Sequence, residues 1–278
     1  MPHFFFIKNE DILKFSMRLA IVLGGLFLAD LLGFTTLSIL ISVGGNGYLL
    51  YFSGKFFEDF KSDSVKPFLG ALLVSVLSEC CALFNLSYTK ESKAFWLFVG
   101  LHAFRDLLIS ARLFYDIYKS NIYNDVWVRV MPFPCVGLLF ILLEIFLFGK
   151  ETSRFMVFLL YNAVTCLPLL TAASRIHHTS YSGFFIMIFG TLALVASDVF
   201  YFSKFLGTAT EQTVSIDFRA TFLLLGNALI QYATYDHITE YEKESKKTYY
   251  LTTNEEELEK ARGKFIKFNS RPLQEPLV

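Results

Sequence analysis

Eight apolar stretches, each about as long as the hydrocarbon core of a bilayer is thick, run through this chain. A helix needs about 20 mostly apolar residues to cross about 30 Å of hydrocarbon. Such stretches lie at 15–33, 36–53, 66–87, 94–117, 126–149, 154–173, 182–206 and 216–238. The composition agrees, since 54% of the 278 residues are hydrophobic and the mean hydropathy is +0.48. We therefore predict an all-α, polytopic membrane protein with about eight transmembrane helices.

The predicted domain organisation follows from these stretches. Residues 1–14 form a cytoplasmic N-terminal segment, 15–238 the eight-helix transmembrane domain and 239–278 a charged cytoplasmic tail. A signal peptide over 1–33 is disfavoured, because "LADLLGFTT" offers no convincing small-residue cleavage site. A small excess of Lys and Arg in the loops on the N-terminal side predicts that both termini are cytoplasmic. Within the tail, Thr253 and Glu256 fit a helix capping box, although a solvated tail is an equal alternative.

Charge and cysteine content exclude several function classes. Lys plus Arg equals Asp plus Glu at 25 each, so no basic excess indicates a nucleic-acid partner. Cys80, Cys81, Cys135 and Cys166 lie in apolar stretches and lack the spaced Cys/His pattern of a zinc site. We interpret them as small core residues and predict neither a metal nor a cofactor.

Carboxylates inside the apolar stretches are the feature that most needs an explanation. Asp198 in "LVASDVFYFS" and Glu79 in "SVLSECCALF" both lie past the midpoint of an odd-numbered segment, so they reach nearly the same depth. A carboxylate at the bilayer centre costs about 2.5–3.5 kcal/mol even on lenient insertion scales, which favours a polar interior cavity. We expect the two acids to share a site. Each follows a serine, as two four-helix halves related by a parallel repeat would allow.

Further polar residues interrupt the same stretches. Arg105 and Asp106 are adjacent, so they point about 100° apart on a helix and are expected not to neutralise each other. His102 lies one turn before Asp106 and can pair with it, and an interhelical hydrogen bond is favoured for it over a catalytic role. Asp30, near the end of its segment, is expected to reach the interface.

Two more polar groups are candidate ligand contacts. Asn227 and Gln231 are one turn apart and present a polar strip that either joins helices or contacts a ligand. Tyr161 in "LLYNAV" offers a hydroxyl donor.

One stretch, "SGFFIMIFGTLALVASDVFYFSKF", resembles the motif of the YhhN-like lysoplasmalogenases. In that motif a Gly-led apolar helix ends in Ser-Asp, followed within two turns by Lys. Gly190, Ser197, Asp198 and Lys204 match it.

Neighbouring stretches extend the resemblance over most of the chain in helix order. "FLLYNAVTCLPLLTAASR" is similar to the family's preceding helix with its Tyr, here Tyr161. "RATFLLLGNALIQYA" is similar to the last helix, whose Gln is Gln231 or, by another alignment, Asn227. "FWLFVGLHAFRDLL" is similar to the fourth helix.

The chain departs from the family pattern at three places. Ser78-Glu79 stands where the family has Gly-Asp, and Asp106 where it has His. The pair Lys66-Pro67 lies closer to the first acid than the family's Lys-Pro does. The chain is therefore identified as a divergent member.

The resemblance implies an eight-helix membrane enzyme that hydrolyses the vinyl ether of lysoplasmalogens to a fatty aldehyde and a glycerophospho head group. Its substrate is a lipid within the bilayer, and its location in a eukaryote is the endoplasmic reticulum. A buried, protonated carboxylic acid can deliver the required proton while a neighbouring carboxylate stabilises the cation. Asp198 and Glu79 are the predicted catalytic residues. The predicted binding or supporting residues are Tyr161, Ser197, Lys204, Asp106, Asn227 and Gln231.

Three other functions fit the sequence. A catalytically inactive relative that binds a lipid is favoured by Ser78-Glu79 and Asp106. A proton-coupled transporter would use Asp198, Glu79 and Arg105 as a charge relay. A purely structural subunit would leave the polar interior unexplained.

Overall fold

Helices account for nearly all of the residues that the structure describes. The computed structural model describes residues 10–58, 65–84, 93–119, 132–143, 155–175, 181–206 and 218–236. The helices are α1 (Glu10–Leu31), α2 (Thr35–Glu58), α3 (Lys66–Phe84), α4 (Lys93–Lys119), α5 (Pro132–Leu143), α6 (Phe155–Ala173), α7 (Tyr181–Leu206) and α8 (219–236). The all-α prediction is confirmed for these residues. Each of the eight predicted segments overlaps one helix, although α1 begins at Glu10 rather than at residue 15.

Two compact units divide the chain, Met1–Thr234 and Tyr235–Val278. Helices α1 to α7 and α8 as far as Thr234 belong to the first unit. The predicted capping box at Thr253 and Glu256 lies outside the described residues, as does most of the predicted N-terminal segment 1–14.

A tight turn joins α1 to α2. Gly33 has a φ of 74°, a conformation that glycine adopts without the penalty of a Cβ atom. The amide of Gly33 donates to the Asp30 carbonyl and that of Phe34 to the Ala29 carbonyl, which is the Schellman pattern at a helix C-terminus. This short turn lets α1 and α2 pack side by side as antiparallel helices.

The expectation that Asp30 reaches the interface is wrong. Asp30 is buried, and its carboxylate accepts from the Ser38 hydroxyl at the start of α2. It also accepts from the backbone amide and the hydroxyl of Thr221 on α8, at 3.2 and 2.6 Å. A buried carboxylate needs such donors, so Asp30 joins three helices instead of turning outward.

Helix α8 packs against α1, α2, α3 and α7, and most of its side chains are buried. A helix that is apolar on nearly every side is typical of the interior of a protein. It approaches α7 most closely where Gly190 faces Gly226. A Cβ atom on Gly226 would lie 2.9 Å from the Gly190 carbonyl oxygen and 2.7 Å from a Leu194 methyl group. Close helix contact at small residues is common in membrane proteins.

Gly226→Ala is expected to destabilise the protein by about 1–3 kcal/mol, because a backbone oxygen cannot move aside to admit the new methyl group. Gly47→Ala in α2 is the matched control, since a Cβ there meets nothing within 4 Å. That substitution is expected to be neutral or to stabilise by about 0.5–1 kcal/mol through the chain's lower unfolded-state entropy. Thermal melting of the two purified variants in one detergent measures the difference, and equal melting temperatures would contradict the packing at Gly226.

The distribution of polar and apolar side chains is reversed relative to that of a water-soluble protein. Ile21, Leu160 and Phe189 are 74%, 65% and 61% exposed, whereas Arg105 and Asp198 are 1% and 3% exposed. Two helices in the described part of the chain are long and apolar enough to cross a membrane, over Lys66–Leu83 and Ser182–Tyr201. These two apolar helices are a weak indication of membrane association.

Candidate functional site

A cluster of ionisable side chains lies in the interior between α4, α6 and α7. We call it the His102 centre; its members are His102, Arg105 and Asp106 of α4, Tyr161 of α6 and Asp198 of α7. All five are buried. The three α4 residues share a face of the helix because they are spaced three and four residues apart, the helical period.

The apolar residues of α4 cover its other side. Leu97, Phe104, Leu107 and Phe114 are exposed, while Phe98 and Ile109 are buried beside the polar residues. The helix therefore turns its charges inward and much of its hydrocarbon outward, which is how charged residues within membrane-spanning helices are usually arranged.

Arg105 holds both aspartates of the His102 centre. Its Nε donates to Asp106 Oδ1 at 2.8 Å, and its Nη2 lies 2.7 Å from that oxygen and donates to Asp198 Oδ2 at 3.1 Å. The expectation that Arg105 and Asp106 cannot pair is wrong. Their Cα–Cβ directions differ by about 100°, but the arginine side chain is long and flexible enough to reach back.

His102 pairs with Asp198 of α7 rather than with Asp106, so the favoured interhelical hydrogen bond is present. Its Nδ1 lies 2.8 Å from Asp198 Oδ1, and Arg105 Nη1 lies 3.1 Å from the same nitrogen. We assign the Nδ1 proton to the shorter contact, because a carboxylate oxygen only accepts. The other ring nitrogen, Nε2, is buried and has no hydrogen-bond partner among the described residues.

Tyr161 and the aromatic ring of Phe98 complete the surroundings of this pair. The Tyr161 hydroxyl lies close enough to the Asp198 carboxylate to interact with it electrostatically. Phe98 stacks on His102 with ring centroids 4.1 Å apart, and Tyr201 stacks on Phe98 at 4.2 Å. The imidazole is thus held by a carboxylate at one edge and by an aromatic face.

Glu79 of α3 forms a second ion pair with Arg219, at the start of α8. Arg219 Nη1 donates to Glu79 Oε1 and Nη2 donates to Oε2 at 3.3 Å, a bidentate arrangement, and both residues are buried. The Arg219 guanidinium carbon lies 5.6 Å from the centroid of the Phe98 ring. Phe98 therefore contacts both the Glu79–Arg219 pair and the His102 centre.

Asp198 and Glu79 do not share one site in the way that the sequence predicted. Asp198 and Glu79 bind different arginines, Arg105 and Arg219, instead of forming a carboxylate dyad. Two carboxylates in one dry site repel each other, whereas a guanidinium satisfies the oxygens of a carboxylate geometrically and electrostatically. The acids are consequently members of neighbouring pairs.

Counting charges over the His102 centre and the Glu79–Arg219 pair gives three carboxylates and two guanidinium groups. A net charge away from water is costly, by several kcal/mol even after relaxation. One proton, on His102 or on a carboxyl group, brings these side chains to zero charge. The arrangement is therefore suited to holding one exchangeable proton.

A third polar cluster joins α2, α3 and α8. Asn227 Nδ2 donates to Asn46 Oδ1 at 2.7 Å and to Ser75 Oγ at 3.1 Å, and Asn46 Nδ2 donates to the Ser42 carbonyl at 2.9 Å. The strip predicted on α8 thus joins helices at Asn227. Gln231 follows one turn later and is also buried.

Two other predicted residues lie around α7. The Ser197 hydroxyl donates to the Arg219 carbonyl at 2.9 Å, which ties α7 to the first turn of α8. Lys204 lies near the end of α7, and its side chain is outside the described part of the structure. Cys80, Cys81 and Cys166 are free thiols. No group of three or more His, Cys, Asp and Glu residues within the described ranges is placed to hold a metal ion.

Sequence reasoning missed the residues that organise the charges. No role was predicted for Arg219, although it directly precedes the apolar run "ATFLLLG" within the predicted segment 216–238. Arg105 was singled out as a charged residue in an apolar stretch, but its role as the bridge between two aspartates was not predicted. The available signal was the presence of arginines in the same apolar segments as the carboxylates.

Comparison with models of known protein families, with curated proteins and with solved structures finds no match to this chain. The function is therefore argued from the residues and their geometry.

Proposed function

We propose that this protein is a multi-pass membrane hydrolase whose eight helices enclose the His102 centre, and that it cleaves the vinyl ether bond of lysoplasmalogens. The products are a fatty aldehyde and a glycerophospho head group. The proposal includes the divergent YhhN-like membership, both termini in the cytoplasm and, in a eukaryotic cell, residence in the endoplasmic reticulum.

Membrane insertion is supported by the reversed distribution of side chains. Apolar residues such as Ile21 and Phe189 are exposed, and the charged residues of the His102 centre and the Glu79–Arg219 pair are buried. An apolar outer surface of this extent would drive aggregation in water, whereas in a bilayer the lipid chains cover it. Charged side chains in membrane-spanning helices face the interior of a bundle and mark functional sites by default.

The observation that carries the hydrolase proposal is the environment of His102. One ring nitrogen is held by Asp198, and Nε2 is buried without a hydrogen-bond partner in the described part of the chain. A carboxylate that fixes one nitrogen leaves the other oriented to give or take a proton. The charge balance calls for one proton, held by His102 or by a carboxyl group, among these side chains.

Vinyl ether hydrolysis requires this kind of proton transfer. Protonated His102 gives its Nε2 proton to the alkene carbon remote from the ether oxygen, and the π electrons form the new C–H bond. The oxocarbenium ion that results is stabilised by the carboxylate of Asp198, since the positive charge has moved from the imidazole to the substrate. Water attacks the carbon bonded to oxygen, while His102 Nε2 takes a proton from that water.

The hemiacetal that results then collapses. His102 returns a proton to the ether oxygen, the C–O bond breaks, and the hydroxyl proton of the hemiacetal passes back to the imidazole. The head-group alcohol and the aldehyde leave, and His102 ends in the protonated state in which it began. One water molecule is consumed and no redox cofactor is needed.

The remaining residues have supporting roles in this scheme. Arg105 and Asp106 orient Asp198, and Tyr161 lies beside the same carboxylate. The Glu79–Arg219 pair supports the stacking ring of Phe98. Glu79 is thereby a positioning residue in this scheme, and Asp198 keeps the catalytic role predicted for it.

The direct test is aldehyde release from a 1-alkenyl lysophospholipid by the purified protein in detergent. We expect release from this substrate and none from the matched 1-alkyl lysophospholipid, whose saturated ether cannot form an oxocarbenium ion by protonation. Binding of the alkenyl lipid without aldehyde release would instead support the inactive lipid-binding relative. Equal cleavage of both lipids would contradict the proton-transfer chemistry.

A further inference from the structure

A line of buried hydrogen-bonding atoms without partners runs along α8 and the facing side of α2. On α8 these are Asn227 Oδ1, Gln231 Oε1 and Thr234 Oγ1, and on α2 the hydroxyl of Ser53. The four side chains are no more than 5% exposed, and none of these atoms has a hydrogen-bond partner within the described ranges. We call this set the α8 polar column.

The geometry of the two helices aligns these atoms. Ser38 and Thr221 share Asp30, and Asn46 bonds Asn227, so α2 and α8 run in the same direction. Ser53 and Thr234 each lie seven residues, two helical turns, beyond that asparagine pair. They are consequently at the same level, and Gln231 lies one turn beyond Asn227 on the same face of α8.

Such atoms are rarely left unsatisfied in a folded protein. A buried donor or acceptor without a partner costs about 1–3 kcal/mol, and nearly all of them bind protein or ordered water. Four in one column, next to the hydrogen-bonded asparagines, form a polar strip of the kind that holds buried water rather than an apolar void that stays dry.

The column lies between the Glu79–Arg219 pair and one end of the helices. On α3, Ser75 is one turn from Glu79, and on α8, Arg219 lies two turns before Asn227. At the other end Ser53 is followed by Lys55, and Phe52 stacks on Phe15, the neighbour of Lys14. Lysines of this kind mark the level where a helix leaves the hydrocarbon.

We infer that the α8 polar column is a water-binding site that leads from the lysine-bearing end of the helices towards the Glu79–Arg219 pair. This inference rests on the proposed function, in which the column supplies the water that captures the oxocarbenium ion. A lipid substrate need not share this route, because its hydrocarbon chain can approach through the apolar outer surface of the helices. The column explains why buried polar side chains extend along α2 and α8 beyond the charged residues of the proposed mechanism.

Cysteine reactivity tests the inference without any need for hydrolase activity. Gln231→Cys places a thiol in the column, and the shorter side chain leaves room for a small reagent. Ala233→Cys is the matched control, because Ala233 is 2% exposed, lies at nearly the same depth and is turned about 200° away. The probe is 2-aminoethyl methanethiosulfonate, whose sulfenyl group forms a mixed disulfide with the thiolate as methanesulfinate leaves.

The reaction is followed by intact-mass spectrometry of the full chain, with adducts counted relative to the parent protein and its own cysteines. A thiolate forms readily only where water solvates it. We expect Gln231→Cys to react about tenfold or more faster than Ala233→Cys. Equal rates at the two positions would overturn the inference while leaving the hydrolase proposal untouched.

A double variant covers the case in which the cysteine alters the packing. Gln231→Leu with Thr234→Val removes two polar groups of the column and should lower aldehyde release about tenfold or more if water must pass them. The melting temperature should not fall, because unsatisfied polar groups are replaced by apolar ones. Unchanged aldehyde release from this folded double variant would overturn the column's role in supplying water.

Discussion

Asp198→Asn is expected to lower aldehyde release by about 10²–10⁴-fold, the range that a positioned acid–base pair contributes. Asparagine has the shape of aspartate but no charge. It can no longer stabilise protonated His102 or the oxocarbenium ion, and its amide group can hold the imidazole in the wrong tautomer. The rate of aldehyde formation by the purified variant, beside the wild type, measures the effect.

Asp30→Asn is the matched control for this substitution. Asp30 is also a buried aspartate with three donors, but it lies between α1, α2 and α8 and not in the His102 centre. We expect this variant to keep its aldehyde release even if its melting temperature falls. Wild-type activity of Asp198→Asn, or equal loss in both variants at equal stability, would contradict the role of Asp198.

Glu79→Gln is expected to have the largest effect on stability, about 3–5 kcal/mol, because it leaves the buried Arg219 guanidinium without its counter-charge. Both partners are buried and joined by two hydrogen bonds, so solvent cannot take over the lost interaction. Thermal melting in detergent should show a much lower transition temperature for this single variant.

The double variant Glu79→Leu with Arg219→Met is the control, since replacing both members of a buried ion pair by apolar residues is often nearly neutral. Its melting temperature should lie well above those of the two single variants, Glu79→Leu and Arg219→Met. Strictly additive losses across these variants would show that the pair has no coupling of the kind described here.

Helix positions were largely predictable from the sequence, and the physical reason is their length. An apolar run of about 20 residues has few alternatives to a helix that satisfies its own backbone groups. The ends were less predictable. Helix α1 begins at Glu10, in a polar stretch that precedes the apolar run, and α5 is described only over Pro132–Leu143. The parallel repeat of two four-helix halves stays a prediction.

Partners of the buried charges were far less predictable than their presence. Asp198 and Glu79 stood out because an acid in an apolar run is costly. Which arginine each binds depends on how α4, α7 and α8 pack, and that information is not local. Arg105 reaches the residue next to it only because its side chain is long, whereas helical spacing alone argued against the contact.

Asp30 illustrates the same limit at a helix end. Its position near a turn suggested an interface, but Ser38 and Thr221 supply hydroxyl donors from two other helices. A single stretch of sequence does not show which donors the distant segments supply. The position of a buried polar residue along its helix was therefore predictable, whereas its hydrogen-bond partner was not.

Isotope incorporation from heavy water tests the central claim most directly. The purified protein is given a 1-alkenyl lysophospholipid in D₂O, and the aldehyde is trapped by immediate borohydride reduction before its own exchange can proceed. Proton transfer from the His102–Asp198 pair to the alkene carbon predicts one deuterium, on the carbon next to the former carbonyl. Aldehyde without deuterium at that carbon, or no aldehyde from the folded protein, would contradict the account.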